Sequence, residues 1–218
     1  MASPTVENYL KALYGLANEA GEINLSDLSI HLEVSKPSVN SMVKTLMQQG
    51  WVIYEKYKPI KMTEAGRKAA ALVIRKHRLT EMFLVKKMGF AWDEVHDIAE
   101  QIEHIKAPEF FDRMDHLLDF PKVDPHGSPI PDKEGNVPVF NYKKLSECLV
   151  GDRVRLVGLN QSSKELLEFL DSRNIGLQVE LEIKSIEPFD HSMLLTYAQH
   201  PSETLSQKVC ERLLVEKV

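Results

Sequence analysis

Histidines and glutamates recur at helical spacing in two stretches between residues 72 and 107. At 100° per residue of α-helix, four of them fall within roughly 100° on one helix face. These four are His96, Glu100, Glu103 and His104. Upstream, His77 and Glu81 lie four residues apart in another amphipathic stretch, so they also share a face. A solvated surface is the ordinary reading of a single His or Glu, whereas six at helical repeats predict metal binding.

The donor atoms of these side chains restrict the metal. Imidazole nitrogens and carboxylate oxygens without sulfur suit divalent transition ions, with Mn²⁺, Fe²⁺ and Zn²⁺ all chemically possible. Cys148 and Cys210 are the two cysteines of the chain, far apart and outside any CxxC motif. Neither a disulfide framework nor a thiolate zinc site is therefore expected, and a reducing compartment fits.

Composition and charge indicate a globular protein of more than one domain. The 218 residues are 43% hydrophobic and 27% charged. No apolar run approaches the ~18 residues of a membrane span, and the N-terminal residues lack the features of a signal peptide, so we expect a cytoplasmic protein. Residues 1–80 hold 11 Lys and Arg against 7 Asp and Glu, although the whole chain carries a formal charge of −5. A basic N-terminal segment (residues 1–80, the head) joined to an acidic remainder is typical of a DNA-binding regulator.

Three helices are predicted in the basic head, ahead of the metal-bearing stretches. The first follows Ser3-Pro4, and the second spans residues 24–32 with Asn24 or Ser26 as its cap. The third runs from Lys36 to Gln49, capped by Ser35 and with a proline in its first turn. Its inward side is expected to be Val39, Met42, Val43, Leu46 and Met47. This order predicts a helix-turn-helix, for which a three-helix bundle with a solvated face is the alternative.

A β-hairpin is predicted over residues 50–63, with its turn at Tyr57-Lys58-Pro59. A hairpin after a recognition helix is the wing of a winged helix, whose lysines would contact phosphates. On the third helix, Asn40 and Ser41 suit base edges, whereas Lys36 and Lys44 suit phosphates. The candidate DNA-binding residues are Ser35, Lys36, Pro37, Ser38, Asn40, Ser41, Lys44, Lys56, Tyr57 and Lys58. Thr63 is expected to cap the next helix, which continues to His77 and Glu81.

The remainder of the chain divides into a helical and a β-rich part. Residues 109–118 carry an apolar stripe suited to a dimer interface or to an ordinary core: Phe110, Phe111, Met114, Leu117 and Leu118. Residues 120–132 are a Pro-rich loop and residues 133–145 a linker. Strands are predicted over residues 149–157, 179–186, 193–197 and 213–218, with a helix over residues 163–171.

The sequence motifs of the metal-bearing stretches resemble those of the diphtheria toxin repressor and manganese transport regulator family of bacterial metal-dependent repressors. The matching segments are Arg75-Lys-His-Arg-Leu-Thr-Glu81, Val95-His-Asp97 and Ile102-Glu-His104. Together with the order of elements, the resemblance covers residues 4 to about 145 strongly and the rest more loosely. It implies an α+β multidomain fold of three parts: a winged helix-turn-helix in residues 1–72, an all-α metal-binding and dimerisation domain in residues 73–140, and a small SH3-like β-barrel in residues 141–218.

The family pattern implies two metal positions. An ancillary site would be formed by His77, Glu81 and His96, and the site that triggers DNA binding would be formed by Asn8, Glu100, Glu103 and His104. Manganese-responsive members of the family have Asp at position 8, iron-responsive members have Met there, and Lys11 replaces a carboxylate of the binuclear manganese form. Glu100 stands where iron-responsive members have Cys, so the site is all oxygen and nitrogen, which favours Mn²⁺ and leaves Fe²⁺ open.

Two further segments resemble ligand-bearing parts of three-domain relatives. The loop Asp124-Pro-His126-Gly is similar to their Cys-Pro-His-Gly loop, so either Asp124 or His126 could complete the ancillary site. The C-terminal domain lends relatives an acidic or amide ligand, and Glu165 lies nearest that position, although a solvated helix face is the ordinary alternative.

The sequence therefore predicts a homodimeric repressor of metal uptake that binds a double-stranded DNA operator when Mn²⁺ or Fe²⁺ is bound. Two other classes remain open from the residues. A winged-helix regulator could instead sense an organic ligand, and paired Glu and His on facing helices also occur in di-metal carboxylate enzymes. An enzyme is not expected, because the chain has no HExxH motif, nucleophile constellation or phosphate-binding glycine loop.

Overall fold

A computed structural model describes residues 2–18, 20–198 and 200–218. Its helices are α1 (Pro4–Leu16), α2 (Leu25–His31), α3 (Lys36–Gln48), α4 (Glu64–Phe83), α5 (His96–Ile102), α6 (Pro108–Leu117), α7 (Lys164–Asp171) and α8 (Gln207–Cys210). Its strands are β1 (Glu22–Ile23), β2 (Val52–Ile53), β3 (Ile60–Met62), β4 (Lys143–Lys144), β5 (Arg153–Leu159), β6 (Glu180–Ile186), β7 (Met193–Tyr197), β8 (His200–Leu205) and β9 (Leu213–Lys217). None of the described helices is long and apolar enough to cross a membrane.

Local capping explains where the head helices begin. The Ser3 hydroxyl accepts from an amide of the first turn of α1, and Ser35 does the same for α3. Asn24 is the N-cap of α2, as one of the two predicted alternatives. Val39, Val43 and Leu46 of α3 are buried as predicted, but Met47 is exposed, since it lies on the border of the apolar stripe. The helix-turn-helix is confirmed.

The predicted hairpin is present as β2 and β3, and β1 extends it to a three-stranded antiparallel sheet in the order β1-β3-β2. Thr63 then starts α4 as expected, because its hydroxyl accepts from the amide of Gly66 at 3.0 Å. Gly66 lies so close to the wing that a Cβ there would stand 2.0 Å from the Trp51 carbonyl oxygen. The wing and the start of α4 are thus packed backbone to backbone.

The C-terminal part is a six-stranded antiparallel sheet in the order β4-β9-β5-β6-β7-β8. The antiparallel sheet agrees with the predicted SH3-like domain, but it is not a closed barrel, because β4 and β8 are its two edges in the described residues. β4 has only two residues, and β8 carries Pro201, which has no amide to donate to a further strand. The strand predicted from residue 149 begins only at Arg153, because the Asp152 carboxylate accepts from the Leu149 amide in a turn.

The chain forms two compact units. The first unit comprises Met1–Thr80, Ala99–Lys122 and Ile130–Pro138. Its largest apolar core lies between α1, α2, α3 and the wing. The second unit comprises Glu81–Ile98, Val123–Pro129 and Val139–Val218, and its core is built on one face of the six-stranded sheet with α7.

Candidate metal centres

Glu103 is the centre of a charged cluster in the first unit. Its side chain is 0% exposed, directly after α5. Lys11 of α1 donates to its two carboxylate oxygens at 2.9 and 3.0 Å and also contacts Glu100. His77 of α4 shares a hydrogen bond with Glu103 through Nδ1 at 2.6 Å. Two helices therefore direct nitrogen atoms at one buried carboxylate.

The ionisation of Glu103 follows from these neighbours. Burial by itself raises the pKa of a carboxyl group, because the charged form loses its hydration. The hydrogen bond to His77 and the positive charge of Lys11 outweigh this, so the pKa of Glu103 lies below its ordinary value. Glu103 is a carboxylate at neutral pH, which is the form that binds a metal ion.

His104 lies beside this cluster and faces α1. Its Nδ1 is 2.6 Å from a carboxylate oxygen of Glu7, and its Nε2 is 3.7 Å from the nearer oxygen of Glu103. Glu7 also lies 3.6 Å from the ammonium of Lys76. A carboxylate on one ring nitrogen fixes the tautomer and orientation of a ligand histidine, so Glu7 leaves Nε2 available toward Glu103. The sequence prediction had missed Glu7, although its place next to Asn8 and four residues before Lys11 was the available signal.

Asn8 provides the test of whether these residues fit a metal ion. Its Oδ1 is buried, and no hydrogen-bond partner for it occurs among the described residues. Asn8, Lys11 and Glu100 line one small cavity of about 170 Å³. An unpartnered buried acceptor is costly unless something binds it, and amide oxygens ligate Mn²⁺. The orphaned oxygen, the carboxylates and His104 fit a divalent ion.

A second cluster of buried ligand-type residues lies in the second unit. Glu81, Asp124 and His126 are at most 5% exposed, and each offers one atom such that all three atoms lie within 4.8 Å of one another. The side chain of His96 is 61% exposed, and its Nδ1 is 3.4 Å from a Glu81 oxygen. Two carboxylates and two imidazoles therefore meet here, of which three are withdrawn from solvent.

The loop that carries Asp124 and His126 is fixed by its own backbone. One oxygen of Asp124 accepts from the amides of His126 and Ser128 at 2.8 and 2.9 Å. The carbonyl of His126 accepts from the amide of Leu159 in β5 at 2.9 Å. Gly127 has φ +82°, and a Cβ there would lie 2.2 Å from the Val157 carbonyl oxygen, so glycine is required.

The tautomer of His126 suits metal binding. Its Nε2 is 2.8 Å from the Trp92 carbonyl oxygen, an acceptor, so Nε2 carries the proton and donates. In the neutral ring Nδ1 is then the acceptor nitrogen, and it lies 3.8 Å from a carboxylate oxygen of Glu81. A ligand histidine held by a backbone carbonyl on its other nitrogen is the usual arrangement. His96 and His126 also line one cavity of about 360 Å³, so both imidazoles border the same open space.

Glu165, the ligand predicted in the C-terminal domain, is not part of the cluster formed by Glu81, Asp124 and His126. It is exposed in the first turn of α7, and among the described residues it does not join either group of ligand atoms. Hydrogen bonds to its own backbone amide and to Ser163 lower the pKa of its carboxyl group. It thus supports the start of α7, and a ligand role for Glu165 stays a prediction.

The candidate DNA-binding residues lie on α3, at its N-cap Ser35 and on the wing. All of them are exposed except Asn40, which is half-buried and accepts a hydrogen bond from the Tyr54 hydroxyl at 3.0 Å. Tyr57 is 90% exposed at the wing tip, with the Lys56 ammonium 4.8 Å from its ring centre. The sequence prediction did not include Tyr54, which orients the Asn40 amide.

A winged helix-turn-helix joined to buried clusters of imidazole and carboxylate groups defines a class of metal-responsive DNA-binding regulators. Comparison with known proteins places the chain in the same class. Residues 1–60 match the family described as iron dependent repressor, N-terminal DNA binding domain, and residues 63–132 match iron dependent repressor, metal binding and dimerisation domain. The chain belongs to this iron-dependent repressor family, which includes the diphtheria toxin repressor type and consists of transcriptional repressors, not enzymes.

Individual relatives match half of the chain or more. The iron-dependent repressor IdeR of Mycobacterium leprae is 34% identical over 225 residues, covering 98% of this chain and 97% of the relative. The transcriptional regulator MntR of Bacillus pumilus is 33% identical over 120 residues, covering 55% of this chain and 83% of the relative. A manganese-dependent transcriptional repressor solved with manganese is 28% identical with a TM-score of 0.88, covering 98% of this chain and 100% of that chain. These relatives confirm the predicted family, fold class and type of cofactor, Mn²⁺ or Fe²⁺.

Proposed function

We propose that this protein represses metal uptake genes by binding operator DNA when Mn²⁺ or Fe²⁺ occupies the cluster around Glu103. The observation that carries the proposal is the buried Glu103 carboxylate, which lies after α5 but is contacted from α1 of the DNA-binding head. An ion bound here supplies a rigid link between that helix and the residues that follow α5. Such a link would restrict the head to an orientation that fits DNA.

The geometry supports two proposed ligand sets. The activating set is Asn8, Glu100, Glu103 and His104, with His77 hydrogen-bonded to Glu103. The second set is Glu81, His96, Asp124 and His126. The second set comprises oxygen and imidazole nitrogen donors without sulfur, as does the activating set, so hard ions such as Mn²⁺ are favoured and Fe²⁺ is accommodated. His77 and Glu165 remain predicted ligands of the second set on family resemblance.

DNA recognition is assigned to α3 and the wing. Ser35 to Ser38, Asn40, Ser41 and Lys44 would enter the major groove, and Lys56 to Lys58 would follow the phosphates. Metal and DNA binding are then coupled by a free energy typically of ~1–3 kcal/mol, and each must strengthen the other. Because its partner is chromosomal DNA, we place the protein in the cytoplasm.

A homodimer is part of this proposal, because two-fold symmetry matches palindromic operators. The exposed apolar side chains Phe110 and Leu117 of α6 suit such an interface. The division of the chain into three domains, with boundaries after residues 72 and 140, also stays a prediction.

The decisive experiment measures operator binding by the metal-free protein as Mn²⁺, Fe²⁺ under anaerobic conditions, or Zn²⁺ is added. Glu103→Gln keeps the size of the side chain and removes the charge, so it should lose the metal-dependent gain in affinity. Glu64→Gln is the matched control, because Glu64 is an exposed residue of α4 that forms an ion pair with the exposed Lys68. Binding that is indifferent to every ion, or equally metal-dependent in Glu103→Gln, would contradict the proposal.

A further inference from the structure

Lys11 places its ammonium group among the carboxylates that are expected to hold the activating ion. Nζ lies within hydrogen-bond distance of both oxygens of Glu103 and of one oxygen of Glu100. The ammonium group, held by two carboxylates, places positive charge where a metal cation would place it. The cluster thus already contains a cation, supplied by the chain itself.

The burial of Glu103 explains why a cation is needed there. An ionised carboxylate without solvent is unfavourable unless opposite charge and hydrogen bonds compensate it. In the first unit, Lys11 and His77 provide this compensation. A divalent ion bound to the same oxygens would bring two positive charges close to the ammonium, and like charges at contact distance repel strongly in a partly buried site.

The surroundings of Lys11 allow its side chain to leave. The cavity of about 170 Å³ at this place is lined by Lys11 itself, Gly15 one turn later on α1, and His31 of α2. A Cβ at Gly15 would meet nothing within 4 Å, so the helix surface next to Lys11 is open. A flexible four-carbon stem can move its head group into this space without moving the helix.

We propose that Lys11 is a tethered competitor of the activating ion, which occupies Glu100 and Glu103 in the metal-free protein and is displaced when the ion binds. This inference rests on the proposed function, since it takes the same carboxylates as the activating site. Lys11 stabilises the metal-free state and thereby raises the metal concentration needed for activation. The affinity of the sensor is set by a residue that is not itself a ligand.

The displacement can be measured on the unaltered full-length protein. Brief treatment with an amine-acylating reagent, followed by mass spectrometry of peptides, reports the reactivity of each lysine with and without Mn²⁺. Lys11 should react slowly in the metal-free protein and several-fold faster with saturating Mn²⁺, because its ammonium loses two carboxylate partners. Lys68, an exposed lysine of α4, is the internal reference and should not change. Equal reactivity of Lys11 in both states would overturn the proposal.

Substitution gives an independent measurement. Lys11→Met keeps most of the side-chain volume and removes the charge, so Mn²⁺ should bind the Glu103 cluster roughly tenfold or more tightly by calorimetry. Lys68→Met makes the same change in net charge at a distance and should leave the affinity unchanged. Lys11→Gln, which can still donate to the carboxylates, serves if Lys11→Met does not fold. An unchanged or weaker affinity in a folded variant would contradict the proposal.

Failure of this inference can be told apart from failure of the proposed function. If Mn²⁺ strengthens operator binding but neither the reactivity of Lys11 nor the affinity of its variants responds, the competitor role is wrong and the function stands. If Mn²⁺ releases Lys11 but operator binding ignores the ion, the competitor role stands and the function is wrong.

Discussion

Glu103 is hydrogen-bonded by two side chains, Lys11 of α1 and His77 of α4, and its pKa responds to burial differently from that of the buried Cys210 thiol. Around Glu103, positive and hydrogen-bonding groups lower the pKa in spite of burial. At Cys210, burial outweighs the hydrogen bond from the residue's own backbone amide and raises the pKa of the thiol to about 12. The same physical cause therefore gives a group that is charged at neutral pH and another that is protonated well into alkali.

The thiol of Cys210 predicts a pH dependence of stability. Below ~8.5, the pKa of an exposed thiol, both the folded and the unfolded chain are protonated at this group. From there up to about 12 only the unfolded chain has lost the proton, so the free energy of unfolding falls with pH, by up to ~1.4 kcal/mol per unit. Cys210→Ala should flatten this fall. Urea unfolding between pH 7 and 10.5 measures it, and profiles of equal slope in both proteins would contradict it.

Single residues were predictable from the sequence only where helical spacing determines their neighbours. Spacing put Glu100, Glu103 and His104 on one side of their helix, and the structure brings their side chains to one cluster in the first unit. It could not show that His77 meets Glu103, because this contact joins residues 26 positions apart. Nor could it show that Lys11 fills a cluster 92 residues away, since only the tertiary fold brings α1 to these carboxylates.

At the scale of an element, the loop of residues 123–129 depends on a single glycine. Gly127→Ala would force a Cβ against the Val157 carbonyl and a side chain into a left-handed conformation. We expect the loss of the second metal site, with at least tenfold weaker binding of one Mn²⁺, because Asp124 and His126 would shift by more than ligand geometry tolerates.

Calorimetric Mn²⁺ titration of Gly127→Ala measures this loss. Gly176→Ala is the matched control in the same unit, since a Cβ at Gly176 would meet nothing within 4 Å. Retention of both sites in Gly127→Ala would show that the loop is not a ligand-bearing element.

On α3, we expect Lys44 and Asn40 to make two different kinds of DNA contact. Lys44→Ala should weaken binding to all DNA sequences and reduce the slope of log affinity against log salt by about 1. Asn40→Ala should instead cost ~1–3 kcal/mol at particular base pairs, because Tyr54 presents the amide in one orientation. Fluorescence anisotropy on operator variants at several salt concentrations measures both, and equal losses on every sequence for both variants would contradict the division.

Elements with their own capping and turn signals were predicted well, whereas the closure of the sheet was not. Ser3, Ser35 and Thr63 begin their helices where the sequence places them, since these bonds are local. Barrel closure depends on pairing between the first and last strands, which no local pattern encodes. The strands β4 and β8 were also missed, because one is very short and the other polar.

At the scale of the whole molecule, the proposed dimer predicts the effect of a charge on α6. Leu117 is 57% exposed, and Leu117→Asp should weaken self-association by roughly 100-fold or more, because it buries a charge in an apolar interface. Sedimentation velocity over a range of concentrations measures this. Leu149→Asp is the control, since Leu149 is 71% exposed in the second unit and lies outside α6. A dimer that survives Leu117→Asp would place the interface elsewhere.

The pairing of Lys11 with Glu103 also has a consequence for synthesis on the ribosome. The two residues are separated by 92 positions, so α1 leaves the ribosome long before its carboxylate partners are translated. At elongation rates of about 5–20 residues per second, the interval is roughly 5–20 s. In the later part of that time the nascent head contains α3 and the wing but lacks Glu100, Glu103 and His104. Under the proposed function, any affinity of the nascent head for DNA would then be outside the control of the metal until these residues have left the ribosome.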